Sequence, residues 1–176
     1  MAPFEHAIPV REDADGIRTA LTVAAVGSRD GRYLLVEENI DGNPVINQPA
    51  GHVDPGEDLL TAVVREAREE TAWQFEPDAV TGVYLWRHPH KSRQFLRVAL
   101  SGQWRQALPG MSLDTGIIAA RWYAPEELDS IGIRLRSPMV WRCIHDHLAG
   151  HRLPLDHYLS LDFDGLAASA QRLQDD

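Results

Sequence analysis

Three closely spaced glutamates are the feature of this sequence that most clearly suggests chemistry. Glu66, Glu69 and Glu70 stand at positions i, i+3 and i+4 of a predicted helix, so their side chains project from neighbouring positions. Two carboxylates ~5.5 Å apart at an effective dielectric of ~20 repel by roughly 3 kcal/mol. Protons, arginine partners or a divalent cation would relieve this repulsion. Ligands that offer only oxygen favour Mg²⁺ or Mn²⁺ over zinc.

A plainer interpretation is an exposed acidic helix face held together by ion pairs. Glu57, Arg65, Arg68 and Glu69 could form such a network, and charge runs are usually solvated helix faces. The fixed spacing of the acids behind a glycine-containing turn favours the chemical interpretation.

The residues before the glutamates predict how the helix begins. Asp54-Pro55-Gly56 is a turn signal, because proline presets one φ and glycine accepts φ > 0. Glu57 and Asp58 are predicted in the first helical turn, where the macrodipole favours negative charge. The predicted buried stripe of this helix consists of Leu60, Val63, Val64 and Ala67.

The rest of the chain predicts a mixed β-sheet packed between helices. Strands are predicted over 20–26, 33–38, 79–86, 94–102 and 119–123, with turns at 28–31 and 41–44 and loops at 87–93 and 105–117. Pro49 argues against a regular central strand over 45–50. Helices are predicted from Pro125, from Ser137-Pro138 with Val140, Trp141, Ile144 and Leu148 inward and Gly150 at its end, and over 165–173.

Composition limits the possible functions. The chain has 176 residues, enough for one domain, and a net charge of −9, which argues against nucleic acid as partner. Its single cysteine, Cys143, excludes an internal disulfide and fits a reducing cytosol. No apolar run is long enough for a membrane span, and residues 1–13 do not resemble a signal peptide. We therefore expect a cytoplasmic protein with an extension (1–18), one domain (19–160) and a tail (161–176).

The stretch from Gly51 to Trp73 resembles the signature of the Nudix hydrolases, G-x5-E-x7-R-E-U-x-E-E-x-G-U, in which U is apolar. Eight specified positions match, namely Gly51, Glu57, Arg65, Glu66, Ala67, Glu69, Glu70 and Trp73, and Ala72 replaces the usual glycine. The resemblance implies an α/β/α sandwich. The runs NQPAGH, FLR (95–97), ARW (120–122) and LRSP (135–138) are similar to the NudJ branch, which removes phosphate from nucleoside di- and triphosphates and from pyrimidine pyrophosphates.

The resemblance also implies roles for residues of the signature. Glu66, Glu69 and Glu70, with the carbonyl of Gly51, are expected to bind Mg²⁺, for which Mn²⁺ can substitute. Glu66 is the first candidate for the general base and Glu69 the second. Arg65 is expected to orient a carboxylate, and Glu57 to be structural. Asp114, from a loop far downstream, is the candidate for a further metal ligand.

Other residues are candidates for contacts with substrate. Arg97 and Arg136 suit phosphate, because a guanidinium matches phosphate geometry. Asn47 and Gln48 precede the signature and His52 follows its first glycine, so all three are further candidates for contacts with substrate. His88 and His90 are expected to be inert loop residues, and Trp86, Trp122 and Tyr84 to be core residues. His145, His147 and His151 do not predict a zinc site, because positions i and i+2 diverge on a helix.

The resulting hypothesis is a Mg²⁺-dependent hydrolase that cleaves phosphoanhydride bonds of nucleoside di- or triphosphates, or of related pyrimidine pyrophosphates, by attack of water on phosphorus. The alternatives are a pyrophosphatase for nucleoside diphosphate sugars such as ADP-ribose, and a non-catalytic nucleotide-binding module, which usually has lost acids from the signature. The expected partner is a small phosphorylated molecule, with neither nucleic acid nor membrane, and the protein is expected to be a monomer or homodimer.

Overall fold

The computed structural model describes residues 16–131, 134–158 and 160. In this part of the chain the strands are β1 (Arg18–Val26), β2 (Ser28–Arg29), β3 (Arg32–Ile40), β4 (Asn43–Asn47), β5 (Ala50–His52), β6 (Trp73–Arg87), β7 (Arg93–Ala107), β8 (Ile117–Tyr123) and β9 (Leu153–Pro154). The α-helices are α1 (Leu59–Thr71), α2 (Pro125–Ser130) and α3 (Pro138–Leu148), and a 3₁₀ helix spans Leu155–His157. The helix predicted over 165–173 lies outside the described residues.

The strands form two sheets. The larger sheet has the order β5-β1-β7-β6-β9 and is mixed, because β1 and β7 run parallel from Arg18↔Arg93 to Val26↔Ser101 while the other pairs are antiparallel. The smaller sheet is antiparallel and consists of β2, β3 and β4, with β8 also paired to β3. The long β6–β7 hairpin extends beyond both ends of the predicted strands and shortens the loops around it.

Helices cover both sides of these sheets. Successive strand residues point to opposite faces, and on β3 Leu34 packs into the cluster that contains α1 residues. Its neighbours Tyr33 and Leu35 pack instead into the cluster that contains Leu128 of α2 and Ile144 of α3. The two cores lie on opposite sides of the strands, which confirms the predicted α/β/α architecture.

Helix α1 begins and ends at well-defined caps. Asp58 is the N-cap residue, and its Oδ1 accepts a hydrogen bond of 2.7 Å from the backbone N–H of Thr61. The prediction that Glu57 and Asp58 lie inside the first turn was therefore wrong, because the capping bond needs an extended residue before the helix. At the other end Ala72 adopts φ 56°, and its N–H bonds to the carbonyl of Arg68.

The two predicted apolar stripes each include one residue that the structure exposes. Val64 of α1 is 38% exposed and Leu148 of α3 is 56% exposed. The neighbouring residues Ala62 and Cys143 are fully buried instead. Apolar spacing alone identified the buried side of each helix but not its angular limits, which depend on the sheet that the helix contacts.

Two predicted turns and caps differ in detail. The turn after β3 uses Asp41 and Gly42, both with positive φ, so Pro44, predicted in the turn, belongs to β4. This position is tolerated because β4 lies at the edge of its sheet. Ser137 precedes α3 in an extended conformation but makes no side-chain capping bond, and Gly150 follows α3 with positive φ as predicted.

Replacing Ala72 by glycine should stabilise the fold. The left-handed conformation strains an alanine but not a glycine, so we expect Ala72→Gly to raise the free energy of unfolding by about 1 kcal/mol in urea denaturation. Ala149→Gly is the matched control, because Ala149 caps α3 with φ −72° and gains nothing from glycine. Equal effects of the two substitutions would contradict the assignment of strain to Ala72.

Candidate active site

The acidic side of α1 lies directly against β5. A methyl group built on Gly51 would overlap the carboxylate of Glu66, so only glycine permits this approach. Glu66 is 8% exposed, and burial raises the pKa of its carboxyl. Gly51 and Glu66 of the signature are therefore coupled by a steric requirement.

Arg65 joins the loop before α1 to the helix. Its Nε and Nη2 donate to the two carboxylate oxygens of Glu57 at 2.9 and 2.8 Å, a bidentate pair, and Nη2 also donates to the carbonyl of His52 at 3.0 Å. Its Nη1 lies 2.7 Å from Oε1 of Glu66 and 3.3 Å from Oε2 of Glu69. These contacts raise the pKa of Arg65 and lower that of Glu57. They show Arg65 as a residue that orients two of the acids and Glu57 as its structural partner.

Glu70 holds the other end of β5. Its Oε2 accepts a hydrogen bond of 2.8 Å from the backbone N–H of Ala50. Burial, with contributions from the charges of Glu66, Glu38 and Asp114, raises the pKa of Glu70 to about 8. The protein alone thus leaves negative charge here that a proton or a cation would neutralise.

The structure brings the distant Asp114 to the same place. Its backbone N–H donates to the carbonyl of Glu69 at 2.9 Å, and its charge contributes to the raised pKa of Glu66 and of Glu70. In the described residues no group of three or more His, Cys, Asp or Glu side chains is already arranged as a metal cage, since Arg65 occupies oxygens of Glu66 and Glu69. Residue types and proximity nevertheless fit an oxygen-ligated divalent cation.

A pocket opens beside Ala50 and Gly51. It is lined by residues of β1, β3, β4 and β7, by the β6–β7 loop and by the start of α3. Its apolar wall consists of Ile40, Val45, Trp86, Phe95 and Met139. Trp86 stacks on Phe95, its cross-strand partner, with ring centroids 5.7 Å apart.

The pocket also contains polar atoms that the protein does not satisfy. Four buried atoms have no hydrogen-bond partner among the described residues, and all four residues line the pocket: Thr22 Oγ1, Glu38 Oε1, Arg97 Nε and Ser137 Oγ. Buried polar atoms are normally paired. Their concentration here indicates a site for a polar ligand.

Arg97 provides a buried positive charge in this pocket. It is 5% exposed, and its Nη1 donates to Oε1 of Gln48 at 3.1 Å and to Oδ1 of Asn47 at 3.4 Å. Among the described residues no carboxylate lies within ion-pair distance of it, and burial lowers its pKa. A buried guanidinium held by neutral amides suits an anionic ligand.

The other predicted substrate contacts are distributed differently. Arg136 and His52 line the pocket, and Arg136 Nη1 lies 3.4 Å from Oε2 of Glu38. Gln48 does not line it, because its side chain is 1% exposed and donates to the carbonyl of Val140 at 2.6 Å. Gln48 thus positions Arg97, and our prediction of a direct substrate contact is corrected.

Several aromatic and histidine residues were placed wrongly or incompletely from sequence. Trp86 and His88 line the pocket, and their ring centroids lie 5.3 Å apart. We had expected a core tryptophan and an inert loop histidine. The alternation of Trp86 with His88, and of Phe95 with Arg97, on one face of the hairpin was the available signal. Trp122 and Tyr84 pack against the two cores as predicted.

The histidines of α3 and the residues after it serve structural contacts. His147 Nδ1 lies 2.8 Å from the hydroxyl of Tyr33. His145 and His151 both approach the buried Asp146, with their Nδ1 atoms 3.4 and 3.6 Å from its Oδ1. That the three histidines do not form a zinc site stays a prediction.

Comparison with known proteins identifies the family. The family model described as NUDIX domain matches residues 17–141. The chain belongs to the Nudix family. It is 37% identical over 136 residues to Phosphatase NudJ of Escherichia coli K12, an alignment that covers 77% of this chain and 88% of that protein, and Shigella flexneri has a NudJ with the same figures.

Solved structures agree with this assignment. A Nudix hydrolase from Nitrosomonas europaea is 41% identical, with a TM-score of 0.80, over 83% of this chain and 99% of that one. The MutT protein of Methanosarcina mazei, 20% identical with a TM-score of 0.62, shares the fold over 76% of this chain and 95% of that one. The predicted family and its NudJ branch are confirmed. This Nudix chain is a hydrolase of anhydrides in phosphorus-containing compounds, of a family that generally uses divalent cations.

No helix in the described part of this Nudix hydrolase is long and apolar enough to cross a membrane. The predicted divisions at residues 18 and 160 and the cytoplasmic location stay predictions.

The stability of the metal-free protein should depend on pH through Glu70. Because its pKa is about 8 when folded and about 4.5 ordinarily, the folded state holds the proton more tightly. Its favourable contribution is therefore complete below pH 4.5 and is lost as pH rises through 8, by at most about 1.4 kcal/mol per pH unit.

We expect the free energy of unfolding of the wild type, in EDTA, to fall from pH 5.5 to 8.5 relative to that of Glu70→Gln. Glutamine keeps the acceptor for Ala50 but has no charge to lose. Urea denaturation at each pH gives this difference, in which titrating groups that do not interact with Glu70 cancel. A difference that does not change with pH would contradict the raised pKa.

Proposed function

We propose that this Nudix hydrolase is a Mg²⁺-dependent enzyme that cleaves phosphoanhydride bonds of nucleoside di- and triphosphates, or of related pyrimidine pyrophosphates, by attack of water on phosphorus with release of phosphate. The name of the relative Phosphatase NudJ supports release of phosphate. Small phosphorylated molecules are the substrates, and Mn²⁺ is expected to replace Mg²⁺.

The observation that carries the proposal is a buried cation that has no ion-pair partner among the described residues and lies in a pocket beside a cluster of acids. Arg97 lies in the pocket that reaches Ala50 and Gly51, and those residues contact Glu70 and Glu66. We place one phosphate of the substrate near these acids, where a cation would be held, and the next phosphate at Arg97. The organic group then lies against Trp86 and Phe95.

The site supplies the ligands that Mg²⁺ prefers. We propose that the carboxylates of Glu66, Glu69, Glu70 and Asp114 and the carbonyl of Gly51 hold the cation, with Arg65 released from part of its contact with Glu66 and Glu69. The bound cation would supply electrostatic stabilisation of the negative charge that develops during transfer. The missing side chain at Gly51 leaves the space that the Glu66 carboxylate occupies.

The protein's own groups provide binding, orientation and proton transfer. Glu66 orients the attacking water and accepts its proton, and burial raises the pKa of its carboxyl. Glu69 is the second candidate for this role. Arg65 acts as a positioning residue, because its guanidinium holds Glu66 against the Glu57 loop. Arg97 binds the phosphate of the departing group, and Arg136 and His52 at the pocket edge are the further candidates for contact with the substrate.

The alternatives receive less support. All signature acids are present, which opposes a non-catalytic module. No feature of the pocket favours a nucleoside diphosphate sugar. The absence of a nucleic-acid partner and the choice between monomer and homodimer stay predictions.

Removing the charge of either candidate catalytic acid should impair turnover. We expect Glu66→Gln and Glu69→Gln each to lower kcat by about 10²-fold or more on nucleoside triphosphates, and EDTA to abolish activity in the wild type. Released phosphate measures the rate. Glu76→Gln is the control, because Glu76 is an exposed acid paired with Arg105. Full activity after exhaustive chelation would exclude a metal-dependent reaction.

Replacing Asp114 should weaken the binding of Mg²⁺ more than the binding of substrate. We expect Asp114→Asn to raise the Mg²⁺ concentration for half-maximal rate several-fold, while KM at saturating Mg²⁺ stays close to the wild-type value. Asparagine retains an acceptor for the N–H of Thr115, so the loop should keep its shape. Asp129→Asn, in the exposed part of α2, is the control. An unchanged Mg²⁺ titration would leave Asp114 as a loop residue only.

A further inference from the structure

Glu38 of β3 lines the pocket, and only one of its two carboxylate oxygens has a partner among the described residues. Its Oε2 lies 3.4 Å from Nη1 of Arg136, while its Oε1 is buried and has no hydrogen-bond partner in the part of the chain that the structure describes. The Glu38 side chain is only 14% exposed. A buried carboxylate oxygen without a donor is unfavourable, so a ligand that supplies the donor would remove this cost.

The phosphate part of a substrate cannot be that donor. The phosphates of a nucleotide are largely ionised at neutral pH and offer acceptors rather than N–H groups. A carboxylate next to them would be repelled. A hydrogen-bond donor to Glu38 Oε1 would therefore come from the organic part of the substrate.

The surroundings of Glu38 indicate which organic part. Ile40 lies two residues further along β3, on the same face, and Val45 is the cross-strand partner of Glu38 on β4. Both line the pocket together with the stacked pair of Trp86 and Phe95. A flat ring is the group that best contacts such an apolar and aromatic wall.

We propose that Glu38 is a specificity-determining residue that accepts a hydrogen bond from an N–H group of a heteroaromatic ring, while Arg136 holds the carboxylate in place. The substrates are then phosphoanhydrides that carry a nucleobase or a similar nitrogen-containing ring, in preference to inorganic or aliphatic ones. This inference rests on the proposed function, because it assigns the pocket to the organic group of the substrate.

The test compares three kinds of substrate. ATP, CTP, GTP and UTP are first ranked with the wild type, and the best is then compared with its 2′,3′-dideoxy form and with inorganic tripolyphosphate. Glu38→Ala should lower kcat/KM at least tenfold for both nucleotides, the scale of losing a hydrogen bond to a charged group. Its kcat/KM for tripolyphosphate and its half-saturating Mg²⁺ concentration should stay within about twofold of the wild type.

Two further variants complete the test. Glu37→Ala is the matched control, because Glu37 is the next residue, pairs with Arg134 at 2.8 Å and does not line the pocket. It should leave all three rates within about twofold of the wild type. Glu38→Gln retains one acceptor oxygen, and we expect a smaller loss with the same substrate pattern.

Each contrary outcome overturns the assignment in a different way. An equal loss on tripolyphosphate, or a raised Mg²⁺ requirement, would show that Glu38 acts on phosphate or metal. A loss confined to the ribose-containing nucleotide would show that it binds a sugar hydroxyl. No loss on any substrate would show that it has no role in recognition.

A failure of the proposed function would be visible separately. If the wild type hydrolyses none of the triphosphates, calorimetric binding of the corresponding nucleoside monophosphates still tests Glu38. Binding at least tenfold weaker in Glu38→Ala than in Glu37→Ala supports the inference, and equal binding or no binding to the wild type overturns it.

Discussion

The negative charge gathered between α1 and β5 is the constraint on which the rest of this structure depends. Glu66 and Glu70 are held against the backbone of Gly51 and Ala50, where burial raises the pKa of both carboxyls. The carboxylates of such a cluster repel one another, so a rigid backbone frame is needed to keep α1 and β5 together. The frame consists of β5, paired to β1 on one side and clamped by Arg65 and Glu57 on the other.

The two sheets carry different residues of the site. The larger sheet carries β5 and the hairpin with Trp86, Phe95 and Arg97, and α1 packs on it. The smaller sheet carries Glu38, and β8 with the loop before it returns Asp114 to the end of α1. The acids of α1 therefore lie against β5, next to the pocket, while Glu38 and the aromatic pair of Trp86 and Phe95 line it.

Arg97 shows how the pocket is supported from beneath. Its charge is buried, and the amides of Asn47 and Gln48 hold its guanidinium without neutralising it. Gln48 is in turn fixed by the carbonyl of Val140 in α3. Helix α3 thus supports the site through the carbonyl of Val140, and Met139 at the start of the same helix lines the pocket directly.

The sequence by itself determined the family, the fold class and the acidic helix. These follow from local patterns, because the spacing of Glu66, Glu69 and Glu70 on one helix already places them together and the turn before them presents Gly51. The candidate Asp114 was found only through the resemblance to the family. The pocket depended on the tertiary structure, since Glu38, Trp86 and Arg97 come from different strands and meet only when the two sheets pack. Burial also reversed the expectation for Gln48, because its polarity suggests a ligand contact and only the position of α3 gives it an internal partner.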